Sequence, residues 1–92
     1  MDLQDYRARM DKVDDELLRI FKERMNISRE IAEYKKQKGF PTLDAARERE
    51  KLAEMCQKAG EELKPYTHML YLTLFELSRA YQGGIGSYSE TV

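Results

Sequence analysis

Position 24 sets a guanidinium into an otherwise apolar series. Leu3, Tyr6, Met10, Val13, Leu17, Ile20, Arg24, Ile27, Ile31 and Tyr34 follow one another at alternating steps of three and four residues, the spacing of a helical seam that packs on another helix. Every member except Arg24 is apolar or tyrosine. A cation inside such a seam is costly unless it is paired. Arg24 therefore either meets a buried carboxylate of the protein, fixing register or oligomeric state, or awaits an anionic ligand. Periodicity alone puts the register reading first. Lys35 shifts the balance: eleven residues make three turns plus about 20°, so Arg24, Ser28, Ile31 and Lys35 share a face, with the two cations some 16 Å apart along the axis. The loop that follows can return Asp44, Arg47 and Glu48 over this face. Arg47 and Glu48 fall in the first turn of a second helix, where backbone N–H groups also favour anions. Cations that converge on a partly apolar cavity suit a small polyanion.

Three further residues can do similar work. Arg7 precedes Arg24 by 17 positions, about 25 Å along one helix. No small ligand touches both from one chain, but in an antiparallel pair of chains Arg7 of one approaches Arg24 of the other. Taken alone, Arg7 reads as a solvated surface residue. Ser78 and Gln82, four apart, point to one side of a third helix; on their own they are a weak signal.

Composition excludes other chemistries. The chain has 92 residues, one domain near the small end of what folds alone. Its net charge of −1 provides no bulk field toward nucleic acid or an anionic membrane. No apolar run is long enough to span a bilayer, and the N-terminus lacks the basic and apolar regions of a secretory signal. The only cysteine, Cys56, cannot form an internal disulfide, which points to a reducing cytoplasm. With that cysteine and a single histidine, His68, the usual transition-metal ligand sets are absent, so no metal and no cofactor is expected. What remains is Arg, Lys, carboxylates, amides and hydroxyls.

The elements that must position these groups are three helices, an all-α chain with one long and two shorter members. The first runs from Leu3 to the Lys35-Lys36-Gln37-Lys38-Gly39-Phe40-Pro41 stop, with Asp2 or Asp5 as cap. The second spans Asp44 to about Ala59, before Gly60. The third is predicted to start at Pro65, a favoured first-turn residue, and to stop at Gly83-Gly84. Residues 1–82 thus form the helical domain, and 83–92 are expected to be a flexible Gly/Ser-rich tail or linker. Cys56 and the methionines read as packing residues and His68 as a surface or interface residue. A seam of some 50 Å outreaches two helices of half that length, so an intertwined homodimer is expected, a second copy lying antiparallel along the first helix.

In order and spacing, these positions resemble the all-helical class of chorismate mutase. The resemblance runs from Tyr6 to Gln82. It is carried by Tyr6-Arg7-Ala8-Arg9-Met10-Asp11-Lys12-Val13-Asp14, Leu17-Leu18 with Glu23-Arg24, Ile31-Ala32-Glu33-Tyr34-Lys35, Leu43-Asp44-Ala45-Ala46-Arg47-Glu48, and Glu76-Leu77-Ser78-Arg79-Ala80-Tyr81-Gln82. It implies an interlocked dimer with two equivalent sites that convert chorismate to prephenate. It also implies that Arg24, with Arg7 from the partner chain, grips the substrate carboxylates. Lys35 then bonds a carboxylate and the ether oxygen, and Gln82 donates to that oxygen. Glu48 accepts from the ring hydroxyl, helped by the backbone near Asp44, while Arg47 and Ser78 complete the surroundings. A unimolecular rearrangement needs orientation and a stabilised ether oxygen, not a nucleophile or a metal. Two other readings stay open: an isochorismate–pyruvate lyase of the same fold, and a non-catalytic helical dimerisation or ligand-sensing module.

Overall fold

The computed structural model describes residues 1–83 and places among them three α-helices and no strand. Helix α1 covers Leu3–Lys38, α2 Ala45–Ala59 and α3 Lys64–Gln82. The predicted tail falls, beyond Gly83, outside the described residues.

Each boundary has a local cause. At the start of α1 the Asp2 carboxylate accepts from the Asp5 backbone N–H at 3.0 Å and the Asp5 carboxylate accepts from that of Asp2 at 3.0 Å, a reciprocal capping box. At its end Gly39 adopts φ 73°, in the left-handed region. This turn lets Phe40 donate its N–H to the Lys35 carbonyl at 2.8 Å while Gly39 donates to that of Lys36 at 3.4 Å. The Phe40 ring comes to 6.3 Å from that of Tyr34, closing the cap with an apolar contact. Lys35, Lys36 and Lys38 occupy the last turn, where cations face the negative end of the helix dipole. At α2 the Asp44 carboxylate accepts from the Arg47 N–H at 3.0 Å. Helix α3 begins one residue before the expected Pro65, at Lys64. Its N-cap, Leu63, offers no capping side chain, and the first turn closes by the Thr67 N–H donating to the Leu63 carbonyl at 2.9 Å.

Helix α3 packs on both α1 and α2, which do not pack on each other. The interior that results is small. Cys56 and Phe75 are the buried apolar side chains, and Ser28 is the buried polar one. Tyr71 stacks edge-on against Phe75 with ring centroids 5.9 Å apart. All of residues 1–20 are exposed in the single chain. The nine apolar and tyrosine members of the α1 seam each keep between 44% and 60% of their surface exposed. Met69 and Tyr66 on α3 are also open to solvent, as is His68.

The Gly39 turn both ends α1 and fixes the carbonyl of Lys35. A Cβ at this position meets nothing within 4 Å, so the cost of Gly39→Ala is conformational, about 1–2 kcal/mol for an L-residue held at positive φ. Urea denaturation at fixed protein concentration should show that loss, and a smaller one for Gly39→Asn, since Asn tolerates the left-handed region better.

Candidate active site

A cavity of about 380 Å³ lies where α3 meets the C-terminal half of α1 and the N-terminal half of α2. Its volume is within the range of small-molecule sites. Of the residues singled out in the sequence, Arg24, Lys35, Asp44, Arg47, Glu48, Ser78 and Gln82 all line it. Arg7 does not; it lies on the exposed N-terminal half of α1.

Arg24 projects from the seam at the point where α3 covers it. Its Nη1 donates to the Ser78 hydroxyl at 2.8 Å. No carboxylate of the described residues lies within ion-pair distance of it, so within one chain the register reading lacks its buried counterion. One turn further along α1 the Ser28 hydroxyl is buried. Gln82 reaches it from α3: Nε2 donates to the Ser28 carbonyl at 3.0 Å and contacts Ser28 Oγ at 3.1 Å. A carbonyl only accepts, so the amide nitrogen is the end that faces α1. Arg24–Ser78 and Gln82–Ser28 are the two polar links between α1 and α3, each spanning 54 residues of sequence.

The rest of the wall comes from the α1–α2 loop and α2. Lys35 Nζ donates to the Thr42 carbonyl at 3.0 Å and so ties the loop to α1. The capping bond of Asp44 turns its carboxylate toward the Arg47 backbone and starts α2 at the cavity rim. Glu48, on the next position, is gripped from α3 by Arg79, whose Nη1 lies 2.7 and 2.6 Å from the two carboxylate oxygens. Lys51 follows one turn later. Its ammonium bonds Glu54 at 3.0 Å, and Glu54 also takes Lys58 at 2.9 Å. The two lysines, Lys58 first, hold the Glu54 carboxyl down at about 2. Glu54 thus draws Lys51 along α2.

Seven lining residues were not singled out from sequence as site residues: Ile27, Ser28 and Ile31, which the helical period had only placed on α1, and Thr42, Lys51, Phe75 and Arg79. Thr42 contributes a backbone carbonyl, which leaves no trace in a side-chain pattern. Arg79 sits between Ser78 and Gln82 in sequence, but its link to Glu48 crosses from α3 to α2 and cannot be read from α3 alone. The lining carries five cations, Arg24, Lys35, Arg47, Lys51 and Arg79, against two carboxylates, Asp44 and Glu48, a balance of 5 − 2 = +3. The whole chain carries −1. Positive charge is therefore concentrated here, over a partly apolar floor of Ile27, Ile31 and Phe75. Such a cavity can bind and orient a small organic polyanion. Among the described residues no group of three or more His, Cys, Asp or Glu side chains is placed to hold a metal ion, and no helix is long and apolar enough to cross a membrane.

Comparison with curated proteins and with solved structures finds no match. A family model for chorismate mutase type II matches residues 6–83. That span takes in α1 from Tyr6 onward, the whole of α2 and α3, and every lining residue of the cavity. An all-helical chain whose cationic cavity falls wholly within the matched span leaves one assignment: the chain belongs to the chorismate mutase type II family.

Proposed function

We propose that the chain catalyses the rearrangement of chorismate to prephenate, in the cytoplasmic synthesis of phenylalanine and tyrosine, as a homodimer whose two sites are each completed by the partner chain. One observation carries the reading: seven residues expected to handle a dianion converge on one cavity with an excess of cations.

In the rearrangement the ether C–O bond breaks as a C–C bond forms to the ring, within one molecule. No proton, electron or leaving group is exchanged. The task is to hold a flexible dianion in its chair-like reactive shape, which is orientation catalysis. Arg24, with Arg7 from the partner, clamps the two carboxylates in the planar, forked manner that guanidinium groups allow. Arg47 and Ser78 shape the surroundings of the ring and its carboxylate. Negative charge grows on the ether oxygen as its bond breaks. Lys35 and Gln82 donate to that oxygen and supply preorganised electrostatic stabilisation. Glu48, with the backbone at Asp44, accepts from the ring hydroxyl. Each donor leaves a placeholder: Arg24 the Ser78 hydroxyl, Lys35 the Thr42 carbonyl, Gln82 the Ser28 acceptors. All three placeholders are neutral. A carboxylate, or an oxygen gaining charge, is a stronger acceptor than any of them.

The seam supports the dimer. Between Leu3 and Ile27 its positions read the same in both directions: 3 + 27, 6 + 24, 10 + 20 and 13 + 17 all equal 30. An antiparallel pair in this register sets Leu3 opposite Ile27, Tyr6 opposite Arg24, Met10 opposite Ile20 and Val13 opposite Leu17. From Leu3 to Ile27 the exposed apolar rows of both copies are covered together. Arg7, beside Tyr6, then reaches the partner's cavity at Arg24.

Three outcomes are expected. Lys35→Ala lowers kcat for chorismate by at least about 10²-fold, the scale of losing one such donor; an unchanged kcat removes Lys35 from the mechanism. The pH–rate profile is flat between about pH 6 and 8, because Arg, Lys, Gln, Ser and carboxylates are not groups that ordinarily titrate there. A steep rise toward acid would require a protonated group in turnover. Arg7→Ala and Lys35→Ala chains are each nearly inactive, yet refolding them together restores roughly a quarter of wild-type activity. Half of the mixed dimers are heterodimers, and each of those contains one intact site of two. No recovery on mixing would mean that Arg7 does not act across the dimer.

A further inference from the structure

We infer that Arg79 is a positioning residue for Glu48: it holds the carboxylate in the cavity and compensates its charge, so that Glu48 can face a dianion as a hydrogen-bond acceptor. The inference rests on the proposed reaction. It adds a residue that no step of that reaction employs.

A carboxylate is an awkward component of a site for a dianion. Left alone, Glu48 opposes the substrate carboxylates that Arg24 and Lys35 attract, in a cavity where the effective dielectric is below that of water. Arg79 answers this. Its Nη1 lies within 2.7 Å of both oxygens of Glu48, and neither side chain has another hydrogen-bond partner among the described residues. The contact crosses from α3 to α2, so the α2–α3 packing sets where the carboxylate sits. Both oxygens keep lone pairs for a hydroxyl donor. Stability gives a poor account of the pair: the side chains are 37% and 28% exposed, and ion pairs this accessible contribute little to folding. The placement also explains why one more cation beside Arg24, Lys35 and Arg47 need not bind substrate. Arg79 is consumed by Glu48, as Lys51 is by Glu54.

A double-mutant cycle with wild-type, Arg79→Ala, Glu48→Gln and double-variant protein tests this. The readouts are kcat/KM for chorismate and the Kd of a hydroxylated bicyclic dicarboxylate shaped like the chair transition state. Glutamine keeps an acceptor oxygen and needs no counterion. Arg79→Ala should therefore cost at least about 10-fold in the wild-type background, the scale of one charge-assisted hydrogen bond, and under about 3-fold in the Glu48→Gln background. Arg79→Lys should restore most of the loss, whereas Arg79→Met, which keeps the packing stem but not the charge, should not. Thermal melts of all variants should stay within a few degrees of wild type. Equal losses in both backgrounds would show that Arg79 touches the ligand itself and overturn the inference. So would an Arg79→Ala chain that keeps wild-type kcat/KM and Kd. Should Arg79→Ala alone fail to fold, Arg79→Met carries the same comparison. A wild-type chain that binds the dicarboxylate without turning over chorismate defeats the proposed reaction, and the cycle is then read from Kd.

Discussion

The structure depends on one mismatch of length. Helix α1 is 36 residues long and carries its apolar stripe from Leu3 to Tyr34, while α3, the helix that packs on it, has 19 residues. Helix α2 adds nothing to the cover, because it packs on α3 alone. The C-terminal half of α1 is therefore partly sheltered and the N-terminal half is bare. Two buried apolar side chains are far fewer than a domain needs to offset the entropy of ordering its chain. Under the proposed dimer, folding and association become one event, and the apparent stability scales with protein concentration.

The sheltered half is where the polar groups collect, and there the side-chain links between helices coincide with the cavity lining. Apart from a weak 3.9 Å contact from Cys56 Sγ to the Lys64 carbonyl, the side-chain hydrogen bonds joining different helices all lie in the cavity wall. Arg24–Ser78 and Gln82–Ser28 tie α1 to α3, and Arg79–Glu48 ties α3 to α2. A cation in an apolar seam is tolerable under these conditions because the hydroxyl of Ser78 meets it and the cavity leaves the rest of the guanidinium accessible. Arg24 is thus a half-buried group with a neutral partner, and among the described residues of one chain no carboxylate pairs with it.

The sequence made different parts of this legible for different reasons. Helix ends were readable where the signal is a side chain or a glycine: the Asp2 box, the lysines before Gly39, Asp44 ahead of α2. The start of α3 was displaced by one residue because Pro65 signals strongly while the true N-cap, Leu63, contributes only its backbone. Arg24 was visible as a break in period and Lys35 through the turn count from it. Asp44, Arg47, Glu48, Ser78 and Gln82 required the family resemblance for their roles, and the cavity unites them by packing that no single helix encodes. Arg79 stayed hidden as a site residue for that reason. On α3 alone it looks like an ordinary exposed cation, and its partner becomes apparent only when α2 crosses beside it. Thr42 was beyond reach, since a loop carbonyl has no residue-type signature.

Arg7 shows how the two halves of α1 belong to one design. It lies about 25 Å from Arg24 along a straight helix, farther than any bend would close. It is also absent from the cavity lining. Within one chain it is a solvated surface residue, and nothing in the fold uses it. In the antiparallel register proposed above, centred on residue 15, residue 6 of one chain lies against residue 24 of the other. Under that proposal the geometry that covers Leu3, Met10 and Val13 also delivers a second guanidinium to the cavity. Arg24 and Lys35 stand some 16 Å apart along their own helix and reach one cavity through the length of their side chains. Under the proposed dimer, the partner's Arg7 enters near the Arg24 end and supplies the opposing jaw. Under the proposed register apolar cover and charge delivery go together: sliding the pairing by one heptad would withdraw Arg7 from Arg24 by about 10 Å.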